Sequence, residues 1–167
     1  MDIQYRLGTM DDLDEIFSVV QAAIENMDQN NIPQWDEKYP DREILEEDIT
    51  KKELYVGILE GKIAVLYVLN RECDPEYQDG QWNYPNDTYY VVHRLCVNPA
   101  VQNHGVGKKT VQHIEQEVVQ RGIQSIRLDV FTRNPYALQL YDKMGFWIVG
   151  HADWRMGRFY LMEKHLQ

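Results

Sequence analysis

Apolar residues recur every three to four positions at Leu13, Ile16, Phe17, Val20, Ile24 and Met27, which places one stripe on a helix with Thr9 as its N-cap. Ile3 to Arg6 precedes it as a short strand. The segment 30–40 is broken by Pro33 and Pro40 and reads as a loop, after which Asp41 caps a second helix to about Lys51. Leu54 to Leu59 and Lys62 to Leu69 flank Glu60-Gly61, the signature of a hairpin. The order so far is β-α-α-β-β.

Residues 71–87 are rich in Asp, Gly, Pro and Asn, but also hold Tyr77, Trp82 and Tyr84, which suggests a long ordered loop over a surface or pocket. Thr88 to Val97 is read as a strand stopped by Asn98-Pro99. A helix follows with Gly107, Val111, Ile114 and Val118 on one face, ending at Arg121-Gly122. Ser125 to Phe131 then alternates as a strand, with Ile126, Leu128 and Val130 on one side and Arg127, Asp129 and Phe131 on the other. Strand, helix and strand should form a right-handed crossover between parallel strands. Asn134-Pro135 opens the last helix and Gly145 closes it, with Ala137, Leu140, Tyr141 and Met144 as its stripe. Phe146 to Val149 and Phe159 to Lys164 end the chain as a hairpin around a loop containing Trp154 and Gly157.

With 167 residues, 44% of them hydrophobic and 11% aromatic, the chain has the size and composition of a single domain spanning residues 1–167. No run approaches a membrane span and the first residues lack a signal-peptide pattern, so a cytoplasmic location and no membrane partner are expected. Cys73 and Cys96 are too few for a disulfide scaffold and lack metal-ligand spacing, so both are read as free thiols and no metal is expected. The formal net charge of −10 argues against nucleic acid as a partner. Its distribution is uneven: residues 1–80 carry 20 acidic against 7 basic side chains and the remainder 7 against 10. A polyanionic ligand would therefore find its counter-charges in the second half, and a cationic one would be drawn to the first. For most of the carboxylates, solvated helix faces are the plainer reading.

The second half also holds the most informative stretch, in which an apolar strand runs through Gln102-Asn-His-Gly105-Val-Gly107-Lys108 into a helix. Glycines let backbone approach a ligand, and the first-turn amides of the helix point at anions. Gln102-x-x-Gly105-x-Gly107 resembles the acyl-CoA signature of the GNAT superfamily of N-acyltransferases. Downstream, Asn134-Pro-Tyr-Ala137-Leu-Gln-Leu140-Tyr141-Asp-Lys-Met-Gly145-Phe146 is similar to a second GNAT segment, Asn-x-x-Ala-x-x-Leu-Tyr-x-x-x-Gly-Phe. Two motifs in the right order, separated by a helix and a strand, are more specific than either alone.

The resemblance is close over residues 88–147 and extends to the whole chain by element order. It implies an α/β (α+β) fold with a mixed, mostly antiparallel central sheet of about seven strands and helices on both faces. It also implies acetyl-CoA as cofactor and CoA as product, with a small-molecule or peptide amine as acceptor; a homodimer is left open. In similar enzymes the strand at Leu95, Cys96 and Val97 pairs with the pantetheine arm, and loop amides at Asn103, His104, Gly105, Val106, Gly107 and Lys108 cradle the pyrophosphate. Many relatives place Arg or Gly where this chain has Asn103 and His104, which removes part of the cationic contribution; Lys108 and Lys109 are the available substitutes. Asn134 would bind the cofactor arm, although an N-cap role explains the same position.

Acylating an amine with a thioester requires a base for the amine proton and an acid for the leaving thiolate. The resemblance assigns the acid to Tyr141, for which packing in the helix stripe is the bland alternative. Asp129, His93 and a water chain remain open as the base. Cys96 is read as a buried strand residue and not as an acyl-carrying nucleophile. Trp35, Tyr39, Trp82 and Tyr84 lie on loops where relatives bind the acceptor, and each could equally pin its loop to the core. A non-catalytic acyl-CoA sensor is the competing class. A nucleotide-binding enzyme is disfavoured, because the loop lacks the Gly-x-x-x-x-Gly-Lys-Ser/Thr pattern and follows the fourth strand.

Overall fold

The computed structural model describes residues 1–166, which form seven strands and four α-helices. In chain order these are β1 (Gln4–Leu7), α1 (Leu13–Gln29), α2 (Arg42–Thr50), β2 (Leu54–Leu59), β3 (Lys62–Asn70), β4 (Tyr89–Val97), α3 (Val106–Gln120), β5 (Ser125–Phe131), α4 (Pro135–Lys143), β6 (Trp147–Trp154) and β7 (Gly157–His165). The strands run in the order β1-β2-β3-β4-β5-β7-β6. β4 pairs with β5 in parallel, with Val91 opposite Arg127, whereas β1-β2, β2-β3, β5-β7 and β6-β7 are antiparallel. This is the expected mixed, mostly antiparallel sheet.

The chain divides into two compact units, residues 1–69 with 94–110, and residues 70–93 with 111–167. In the first unit, α1 and α2 bury Leu13, Ile16, Val20, Leu45 and Ile49 against Leu54, Val56, Leu66 and Val68. A separate cluster of Ala64, Val65 and Val106 takes in Ile3, Tyr5, Leu95 and Val97. In the second unit, Tyr77, Val91, Val149, Ala152 and Leu161 form a cluster flanked by Trp82, Tyr89 and Trp154.

Local signals set most boundaries. The Asp41 carboxylate accepts from the Ile44 amide at 2.9 Å and the Asn134 side chain from the Ala137 amide at 3.1 Å, so both act as N-caps. Gly145 at φ +87 closes α4 while the Phe146 amide donates to the Tyr141 carbonyl at 3.0 Å, and the two rings meet edge-on at 5.4 Å. The spacing Tyr-x-x-x-Gly-Phe is thus a C-terminal cap with its hydrophobic contact. Glu60 and Gly61, both at positive φ, make the turn of the β2-β3 hairpin.

Two expectations need adjustment. Thr9 heads a 3-10 turn, Met10–Asp12, that leads into α1, and its amide donates to Asp12 at 2.8 Å. The terminal hairpin is longer than 146–149 and 159–164, because β6 continues through Gly150, His151 and Asp153 to Trp154, which pairs with Gly157. Gly150 marks close packing, since a Cβ there would lie 3.2 Å from the Gly80 Cα.

Candidate active site

β4 carries the first group of candidate residues. Leu95 and Val97 turn their side chains toward Val106, whereas Cys96 packs with the core under α1 and α2. Alternation thus buries Cys96 and leaves Leu95 and Val97 partly buried on the opposite face, so that backbone is the polar group this stretch can offer a ligand. The Cys96 thiol is 3% exposed, and burial pushes its pKa up to about 12. A thiol so strongly held in its neutral form is a poor nucleophile, in keeping with the packing role.

Just before these residues, Arg94 adopts φ +51 in mid-strand, a conformation that costs an L-residue energy. Its guanidinium grips the Asp48 carboxylate of α2 with Nε at 2.9 Å and Nη2 at 2.6 Å, and Nη1 donates to the Tyr39 hydroxyl at 2.8 Å. Sequence patterning gave no sign of this buried pair, whose members are 46 residues apart.

At the end of β4 the Asn98 side chain donates to the Ile63 carbonyl at 3.0 Å and accepts from the Ala100 amide at 3.0 Å, anchoring the start of the loop. Asn103 and Gly105 both adopt left-handed backbone, at φ +66 and +78. Gln102, Asn103, His104, Gly105 and Lys108 are exposed, Gly107 is half-buried and Val106 is buried beneath them. Nothing lies within 4 Å of a Cβ built on Gly105, so its need for glycine is conformational. Helical geometry leaves the first-turn amides of α3 without intrahelical acceptors, which suits an anionic guest. Lys108 and Lys109 are both exposed, and Lys109 donates to the Met1 carbonyl at 3.1 Å.

The second unit holds the candidate acid and bases. Tyr141 is 6% exposed, and burial, reinforced by the negative charge of Asp129, lifts its phenol well above the usual tyrosine range. Asp129, half-buried on β5, accepts a 2.6 Å hydrogen bond from the Tyr77 hydroxyl. Tyr77 was not among the candidates from sequence, though Asp74-Pro75 is a helix-start signal and does open the 3-10 turn Pro75–Asp79 that carries it. His93 Nε2 lies 2.8 Å from Asn70 Oδ1 and 3.0 Å from the Glu72 carbonyl. Two acceptors assign the proton to Nε2. Asn134, already an N-cap, heads α4 in the same unit.

The four candidate acceptor-binding aromatics divide by exposure. Trp35 is buried in the core with α1, and Tyr39, 37% exposed, holds Arg94. Trp82 stacks on Tyr77 at 5.7 Å and donates its indole N–H to the Tyr77 carbonyl at 2.8 Å. Tyr84, 43% exposed, stacks on His165 at 4.2 Å. A cavity of about 140 Å³ beside Tyr84, lined also by Trp147 and Glu163, is well below the roughly 300 Å³ of an ordinary ligand pocket. Among the described residues, no cluster of His, Cys, Asp and Glu could hold a metal ion, and no helix is long and apolar enough to cross a membrane.

Comparison with known proteins gives these elements a family context. A solved structure from Staphylococcus aureus Mu50, provisionally described as an acetyltransferase, is 32% identical over 98% of this chain and 99% of its own, with a TM-score of 0.77. The PaiA N-acetyltransferase of Thermoplasma acidophilum, solved in complex with coenzyme A, shares the fold at a TM-score of 0.72 and 18% identity, over 99% of each chain. The [ribosomal protein bS18]-alanine N-acetyltransferase of Escherichia coli K12 is 33% identical over 52 residues, and the match spans about a third of each protein, 31% of this chain and 35% of that one. The model of the acetyltransferase (GNAT) family matches residues 20–146, which include β4, the glycine loop and α4, and the chain therefore belongs to that family of acetyltransferases.

Proposed function

We propose that the protein transfers the acetyl group of acetyl-CoA to a primary amine by direct attack, without an acyl-enzyme. The observation that carries this reading is the conjunction of a strand whose Cys96 is buried on one face and whose Leu95 and Val97 pack partly buried on the other, with a loop held left-handed at Asn103 and Gly105. The strand offers backbone to an amide-bearing arm, and the loop and α3 offer amides to phosphates. The coenzyme A held by the Thermoplasma relative supports acyl-CoA as the guest.

When bound, acetyl-CoA supplies an activated thioester. Tyr141 protonates the departing thiolate as the new C–N bond forms and the C–S bond breaks, and Asp129 takes the proton of the attacking amine, with His93 as the alternative carrier. The Tyr141 phenol is protonated across the neutral range and so available to donate, although burial, by raising its pKa, makes it a weaker acid than a solvated tyrosine. Of the aromatics, Tyr39 and Tyr84 expose the most ring surface and are the better acceptor contacts, while Trp35 and Trp82 support their loops by packing. A polyamine, an amino acid, an aminoglycoside or a protein N-terminus suits the acidic first half. A cytoplasmic location and a single domain over residues 1–167 accompany this reading.

Steady-state kinetics of Tyr141→Phe test the assignment. Turnover should fall by roughly 10²–10⁴ with little change in acetyl-CoA affinity, and an unchanged rate removes Tyr141 from the mechanism. Because burial raises its pKa, the wild type should lose no activity through Tyr141 ionisation below about pH 10.

A further inference from the structure

Residues 71–87 form a strap whose fastenings converge on one hydroxyl. The Gln81 amide donates to the Val149 carbonyl of β6 at 2.7 Å, and Trp154 donates its indole N–H to Glu76 at 3.0 Å. Glu163 of β7, 2% exposed, accepts from the amides of Asn83 at 2.8 Å and Tyr84 at 3.2 Å. A Cβ on Gly80 would lie 2.8 Å from the Trp82 ring, and one on Gly150 would lie 3.2 Å from the Gly80 Cα. Trp82 lies over Tyr77, and the Arg127 guanidinium packs against the rings of both Trp82, at 4.3 Å, and Tyr89, at 4.0 Å. Fixed in this way, Tyr77 is 2% exposed and its O–H meets Asp129 Oδ2 at 2.6 Å.

From this geometry we infer that Tyr77 is a positioning residue for proton transfer, holding the Asp129 carboxylate ionised and in a fixed orientation, and that delivering this hydroxyl is a function of the 71–87 strap. The inference rests on the reading of Asp129 as a proton carrier. A phenol donating to a carboxylate favours its charged form, and a 2.6 Å contact is in the strong range for O–H to O⁻. Tyr77 keeps its own proton throughout, since burial first, and then the charge of Asp129, raise its pKa well above 10. Among the groups that act electrostatically on this pair are Tyr141 from α4, with Asp74 and Cys73 from the strap. Arg127 lies two residues from Asp129 on β5 and so shares its face of the strand. Geometry, and not acidity, separates the two tyrosines: the Tyr77 hydroxyl is tied to Asp129 at 2.6 Å, whereas Tyr141 is the proposed donor to the thiolate.

The test combines Tyr77→Phe, which keeps the ring and its stack on Trp82, with Asp129→Asn. The Asp129 carboxyl is followed by carbon-13 NMR across pH, its signal assigned by its loss in Asp129→Asn. Thiol release from acetyl-CoA is measured in parallel with propylamine as a minimal amine. The expected result for Tyr77→Phe is a carboxyl midpoint about one pH unit higher, with the acid limb of kcat/KM moving up equally and the KM for acetyl-CoA unchanged. Loss of a hydrogen bond to the charged form makes protonation easier, so the limb must move upward in pH. An unshifted midpoint or limb in Tyr77→Phe, with Asp129→Asn slow, overturns the role of Tyr77 and leaves the base assignment standing. Wild-type thiol release by Asp129→Asn overturns the proton-carrier reading and the inference with it.

Discussion

Cys96 sits where a ligand's thioester arm is proposed to lie, yet its thiol is buried and its pKa pushed to about 12, whereas Cys73 is exposed. Iodoacetamide at neutral pH should therefore modify one thiol per folded chain and two after denaturation, counted by intact mass. Rapid loss of both in the native state would reopen an acyl-enzyme at Cys96. The packing role of this residue was legible from strand alternation and the usual burial of unpaired cysteine. Tyr77 was not legible as a partner of Asp129. Fifty-two residues separate the two, and the pairing depends on a loop path that no periodicity reports. Tyr141 shows how a packing role and a proposed chemical one fall on the same residue, since its ring closes the α4 cap against Phe146 while the negative charge of Asp129 adds to burial in raising its pKa.

The glycine loop and β4 depend on backbone conformations that cost an ordinary residue about 1–2 kcal/mol. Gly105→Val should therefore weaken acetyl-CoA binding by about tenfold or more in calorimetric titration, through strain at φ +78. Unaltered affinity would remove the loop from the binding site. At φ +51, Arg94 is held by its bidentate pair with Asp48, whose side chains are 13% and 9% exposed. Burial raises the Asp48 carboxyl even with Arg94 in contact, so the intact pair adds little net stability. Breaking it is another matter. Asp48→Ala leaves a buried guanidinium without its counter-charge and should cost about 3–5 kcal/mol in urea unfolding. Removing Lys51 from its exposed pair with Glu47 should cost less than about 1 kcal/mol. The N-caps at Asp41 and Asn134 and the glycine closing α4 could be read from residue type and spacing alone. The Arg94 turn could not, because nothing in Val-His-Arg-Leu-Cys marks a left-handed residue. The outer half of β6 was missed because Gly150, His151 and Asp153 look like loop, although an edge strand tolerates polar positions facing water.

The family model spans both short motifs, and each motif has a local physical basis in loop and cap geometry. The proposed chemistry divides along the same lines. The strand and glycine loop proposed for the cofactor belong to the first compact unit, and Tyr141, Asp129 and Tyr77 to the second. The acceptor is where sequence and fold say least, since exposed Tyr39 and Tyr84 and a surplus of carboxylates fit a cationic amine without naming a molecule. The most direct measurement is thiol release from acetyl-CoA by the wild type against a panel of polyamines, amino acids, aminoglycosides and peptide N-termini, with mass spectrometry of the products. The account predicts stoichiometric CoA release matched by one acetyl group on at least one primary amine. Saturable acetyl-CoA binding with no thiol release across the whole panel would contradict it and identify the protein as an acyl-CoA sensor.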